Sequence, residues 1–179
     1  MSEKETFNLT ASQLQKKIKE LNLELSGLQL QERKGSFFTV SVSEDKEEVR
    51  PDYNLRNSYE DQFKVMKRLS AYKHVLNQFN QTTVVPGFNL TIDELLVQMP
   101  IIKDMVKRLE NCKNSMGRER IENMYTRGTS TPEYRYANFS TSDAKDLYEY
   151  YNNLLIKMQL AIDNINSTNV IQFEYEEII

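Results

Sequence analysis

The sequence predicts a mainly α fold: an antiparallel four-helix bundle built from two helix-strand-helix halves, with a minor β ribbon. Three observations point there. Four long stretches repeat apolar residues every three or four positions, the period of a helix with one buried face. Helix-start chemistry precedes two of them, at Thr91 to Glu94 and at Ser140 to Asp143. A signature also recurs at an offset of 86 residues: Leu76-Asn77-Gln78-Phe79-Asn80-Gln81-Thr82-Thr83-Val84 and Ile162-Asp163-Asn164-Ile165-Asn166-Ser167-Thr168-Asn169-Val170. Tandem similarity of this kind suggests two copies of one supersecondary unit. The chain is therefore read as a single helical domain over 1–179, with pseudo-repeat halves at about 8–84 and 89–170.

The first helix is expected from about Ser12 to Arg33. Leu14, Ile18, Leu21, Leu25 and Leu28 form its heptad seam, and Leu23 and Leu30 lie off it. The second should run from Ser58 to Asn80, with Asp61 completing a weak capping box. Pro86-Gly87 then turns the chain, and Thr91 with Glu94 opens a third helix. Pro100 lies inside that helix and removes a backbone donor, so a kink or break is expected near Val97 to Met99. The fourth helix should extend from Ser140 to Asn166, followed by a short strand or arm at Val170 to Tyr175. Phe38 to Val42 and Tyr134 to Asn138 alternate and carry β-branched or aromatic residues, so both read as short strands expected to pair with each other.

A net charge of −3 gives no nucleic-acid polymer or anionic-membrane footprint, and no apolar run is long enough to span a bilayer. Residues 1–12 contain no apolar signal segment, so a cytoplasmic location is expected, the host cytoplasm if the protein is phage-encoded. Cys112 is the one cysteine, which rules out an internal disulfide; on an apolar helix face it reads as an inert thiol. Five Asn-X-Ser/Thr triplets are better explained by helix-end chemistry than by glycosylation.

No catalytic motif emerges. His74 is the one histidine and has no carboxylate four residues on, so a helical metal pair is not available. The acidic runs read as solvated faces, and there is no Gly-rich phosphate loop or nucleophile elbow. The expectation is a protein without enzymatic activity, cofactor or metal. One constellation stands apart, basic and aromatic. Arg118, Arg120, Tyr125, Arg127, Tyr134, Arg135 and Tyr136 crowd the connection before the fourth helix, and Arg33, Lys34, Arg50, Tyr53 and Arg56 occupy the connection between the first two. Arginine forks recognise phosphate or carboxylate and tyrosine rings stack on planar groups, so these residues are the candidate site for a small anionic ligand. The opposing reading is a polar loop surface neutralised by neighbouring acids, or an oligomer contact.

Phe79-Asn80-Gln81-Thr82, Leu90-Thr91-Ile92-Asp93-Glu94-Leu95 and Ile165-Asn166-Ser167-Thr168-Asn169, in this order, resemble a septicolysin-like family of uncharacterised bacterial helical proteins. The resemblance implies a helical, oligomeric fold and carries over no catalytic residue. Pro100 and Val170 depart from the family's pattern. A mean hydropathy of −0.63 argues against the membrane insertion that a cytolysin would need. The resulting expectation is a homo-oligomer that captures a nucleotide-like anion, as a sponge for nucleotide signals in a bacterium or phage would; a structural or protein-interaction bundle without ligand is the alternative.

Overall fold

A computed structural model describes residues 4–121 and 133–176. The described chain is mainly helical, with small antiparallel strand pairs. Its elements run β1 (Lys4–Thr10), α1 (Ala11–Gly35), α2 (Lys46–Val49), α3 (Leu55–Thr82), β2 (Val84–Val85), β3 (Leu90–Thr91), α4 (Ile92–Lys113), β4 (Arg118–Ile121), β5 (Glu133–Tyr136), α5 (Thr141–Thr168) and β6 (Val170–Glu176). Two compact units emerge: Met1–Thr83 with Asp163–Ile179, and Val84–Ile162.

In the first unit α1 and α3 form an antiparallel pair. Near one end Leu14 packs in a cluster with Leu21, Val65, Leu69 and Tyr72; near the other Glu32 meets Tyr59 and Gln62. The seam positions Ile18, Leu25 and Leu28 join this core as partly buried residues, whereas Leu23 and Leu30 are exposed. β1 and β6 pair antiparallel, with Phe7 opposite Phe173 and Leu9 opposite Ile171. One face of this ribbon, carrying Phe7, Leu9, Ile171, Phe173 and Tyr175, packs on the cluster. A two-stranded ribbon is marginal in water by itself, and this apolar face is what holds it.

In the second unit α4 and α5 also run antiparallel. Leu96 and Met99 share a groove with Leu155, Ile156 and Gln159, while the Lys113 ammonium lies 3.3 Å from the Tyr148 ring centroid at the other end of α4. Val85, Ile92, Leu95, Ala144, Met158 and Ile162 are its buried apolar residues.

The helix ends repeat in atomic detail. Thr10 and Thr91 are both N-caps with complete capping boxes, closed by Gln13 and Glu94 respectively. Each closes the same run of four residues, Phe7-Asn8-Leu9-Thr10 and Phe88-Asn89-Leu90-Thr91, a match at an offset of 81 residues stronger than the one at the helix ends. Three positions past each capping threonine's neighbour, Leu14 and Leu95 are both fully excluded from solvent. At the opposite ends, the Thr82 hydroxyl donates to the Gln78 carbonyl and the Thr168 hydroxyl to Asn164, both at 2.8 Å. Asn80 and Asn166 each lie two residues before the last helical residue. The strand pairings follow suit: Val84 pairs with Thr91 and Val85 with Leu90, as Val170 pairs with Thr10 and Ile171 with Leu9. Between β2 and β3, Gly87 (φ 85°) and Asn89 (φ 54°) supply the left-handed backbone of the turn.

Several expectations are corrected. Residues 37–42 form no strand; Phe37 and Val42 stand in solvent, because alternation makes a strand only where a neighbour supplies backbone partners. The expected pairing of the two β segments therefore fails. β5 pairs instead with β4, which is close in sequence and costs less loop entropy to reach. α3 starts at Leu55 with Asn54 as its cap, three residues before Ser58, because the Asn54 side chain accepts from the Asn57 N–H. α4 runs unbroken through Pro100. β1 was not expected from the sequence, since its polar alternation is apolar only at Phe7 and Leu9.

Candidate functional site

The basic and aromatic residues before α5 are organised by the β4–β5 ribbon. Arg118 pairs with Tyr136, Glu119 with Arg135, Arg120 with Tyr134 and Ile121 with Glu133. Residues directly opposite one another project to the same side of a ribbon, and successive residues to opposite sides. The ribbon thus has two chemically distinct faces. One carries Arg118, Arg120, Tyr134 and Tyr136. The other carries Glu119 and Arg135 beside Ile121 and Glu133.

On the first face the Arg118 guanidinium lies 3.7 Å from the Tyr134 ring centroid and 5.7 Å from that of Tyr136. The two rings are 6.5 Å apart and tilted by 49°. All four residues are exposed, Tyr136 at 64%. A guanidinium seated over a ring face is worth about 0.5–1 kcal/mol at an exposed position and keeps N–H groups able to donate. Among the described residues neither Arg118 nor Arg120 is ion-paired with a carboxylate.

The second face looks onto a cavity of about 610 Å³, lined by Asn111, Cys112, Asn114, Ser115 and Met116 from the end of α4, by Glu119, Arg135 and Tyr136 from the ribbon, and by Ala137, Asn138 and Phe139 beyond it. The last turn of α4 is capped internally: the Asn114 N–H reaches Glu110, and the Ser115 N–H and hydroxyl both donate to the Cys112 carbonyl. The Ala137 N–H donates to the Gly117 carbonyl and closes the ribbon's base. Cys112 is half-buried, more open than its apolar helix face suggested.

Of the sequence candidates, Arg118, Arg120 and Tyr136 share a face with Tyr134, while Arg135 is turned to the opposite one. Tyr125 and Arg127 lie outside the described residues. Arg50 and Arg56 belong to the other compact unit. Arg50 contacts Glu47 at 3.3 Å, and Arg56 lies beside Tyr59, Glu60 and Phe63 on the surface of α3. Arg33 and Lys34 occupy the last turn of α1, where cations favour the helix dipole. His74 is exposed. The residues that sequence reading missed are Asn111, Asn114 and Glu119; only the fold of the ribbon onto the end of α4 brings them into one cavity.

In the first unit the Glu32 carboxylate accepts from Gln62 Nε2 at 2.8 Å and from the Tyr59 hydroxyl at 2.9 Å. Those two hydrogen bonds hold its pKa below the ordinary value, and the same contact pushes the Tyr59 phenol upward. The cluster ties α1 to α3 and reads as structural. No group of three or more potential metal ligands occurs among the described residues.

No family model matches the chain, and no curated protein matches it. Among solved structures, the chain is similar to the crystal structure of a functionally unknown conserved protein from Corynebacterium diphtheriae. The TM-score is 0.63 at 12% identity, over 93% of this chain and 100% of that one. At that identity the likeness concerns the fold alone.

Proposed function

We propose that the protein is a non-enzymatic binding protein that takes a small anionic, nucleotide-like ligand on the Arg118/Arg120/Tyr134/Tyr136 face of its β4–β5 ribbon. The observation that carries this reading is the Arg118 guanidinium stacked on Tyr134 in an exposed setting, with no carboxylate paired to it among the described residues. A phosphate would meet the guanidinium edge, and a planar base would lie on the open Tyr136 ring. Arg50 and Arg56 belong to the other compact unit, and the proposal is made for the ribbon residues by themselves.

The test is titration calorimetry of the full chain with nucleotides, cyclic nucleotides and phosphosugars. Arg118→Ala should weaken binding about 10- to 100-fold, the scale of a charge-assisted hydrogen bond. Lys145→Ala, an exposed change on α5, should have no effect. Binding that survives both Arg118→Ala and Arg120→Ala would place the site elsewhere.

Homo-oligomerisation belongs to the same proposal. Val97 and Ile101, one turn apart on α4, and Leu160 on α5 are each at least 60% exposed, and exposed apolar side chains of this kind favour self-association. Sedimentation velocity of the purified protein tests it. A homo-oligomer that binds none of these anions would favour the interaction-bundle reading. No helix among the described residues is long and apolar enough to cross a membrane.

A further inference from the structure

We infer that the cavity between the end of α4 and the second face of the β4–β5 ribbon is a binding site for a free amino acid with an apolar side chain, built on Glu119 and Arg135 and sharing only Tyr136 with the anion face. Glu119 and Arg135 are directly opposite in register, project to the same side and line the same cavity of about 610 Å³. Opposite charges so placed are within reach of each other and stabilise the strand pair when they meet. Here, among the described residues, neither is ion-paired. Each thus keeps its hydrogen-bonding capacity for a third group.

The charges select the ligand class. A simple anion reaching Arg135 would lie beside the Glu119 carboxylate, and a simple cation reaching Glu119 would lie beside the guanidinium. A zwitterion satisfies both, its carboxylate on the Arg135 fork and its ammonium on Glu119. The C-terminal end of α4 borders the cavity, and the negative end of the helix dipole adds to the attraction for the ammonium. Asn111 and Asn138 provide carboxamides that can donate to or accept from the remaining polar edges. Met116 and Phe139 line the same space and would cover an apolar side chain. The volume falls within the ordinary range of small-molecule sites and exceeds what an amino acid occupies.

The experiment is titration of the full chain with L-leucine, L-methionine and L-phenylalanine, set against 3-phenylpropionate and phenethylamine, which each keep one charge. At least one amino acid should bind, and each single-charge analogue of phenylalanine should bind at least about 10-fold more weakly than phenylalanine itself. Glu119→Gln and Arg135→Gln should each lower affinity by a similar factor, with the helical circular dichroism unchanged. The analogue comparison uses the unaltered protein, so it decides even if a variant fails to fold. Failure of all three amino acids to bind, equal binding of an analogue, or binding that survives both substitutions would overturn the inference. Nucleotide binding on the other face is read separately by Arg118→Ala, so either site can fail without the other.

Discussion

Phe7 stacks on Phe173 with ring centroids 5.2 Å apart and planes within 18°, across the antiparallel pair formed by the first and last described strands. Tyr72 on α3 meets both rings edge-on, at 5.7 and 5.4 Å. An offset stack flanked by an edge-to-face ring suits the aromatic quadrupole, and it fastens the ribbon to the helix pair.

Phe173→Ala should therefore destabilise the protein by about 2–3 kcal/mol, below the range for a fully buried phenylalanine because this ring is only partly covered. Urea denaturation followed by circular dichroism measures it. Phe7→Ala should cost a similar amount, and the double variant less than the sum, since the two rings share one contact. Additive losses would show that the stack does not couple them.

Thr10→Ala and Thr91→Ala should each cost about 1 kcal/mol, the usual value of an N-cap. Their pH behaviour should differ. Glu94 accepts from the Thr91 N–H at 2.7 Å and from its hydroxyl at 3.0 Å, and these bonds lower its pKa below the ordinary carboxylate value. Its contribution is present above the unfolded pKa and lost as pH falls through the lowered folded value. Gln13 fills the same role at Thr10 and does not titrate. Glu94→Gln should flatten the acid-side decline of stability, while Gln13→Glu should introduce a new one; melting temperature against pH reads both.

Pro100→Ala should stabilise the protein. Pro100 is exposed in the middle of α4, where its ring removes one helical hydrogen bond without providing a buried contact in return. Proline in a helix interior is about 3 kcal/mol worse than alanine, and relaxation of the surrounding turn should bring the gain to about 1–3 kcal/mol. A melting temperature that is unchanged or lower would show that Pro100 shapes the groove it shares with Leu96 and Ile156.

The local codes in this chain were legible, because they act within a few residues. The 3.6-residue periodicity located all four long helices, and the Thr91 and Ser140 signals fixed two of their starts. The alternation of Tyr134 to Asn138 marked a real strand, which ends at Tyr136, and Arg118, Arg120 and Tyr136 share one face of the ribbon it forms. Local codes failed where a distant partner decides. The same alternation at 38–42 yields no strand, since no neighbour offers it backbone groups, whereas the more polar Lys4–Thr10 becomes one because β6 does.

What the sequence alone determined is therefore the four long helices, the starts of two of them and the residue types available for binding. Tertiary structure decided which of those residues act together. A strand sends neighbours to opposite sides, so Arg135 turns away from Tyr134 beside it in sequence and joins Glu119 and the end of α4, while Arg118 comes to rest on Tyr134. Register is a relation between two segments, and neither segment read by itself contains it.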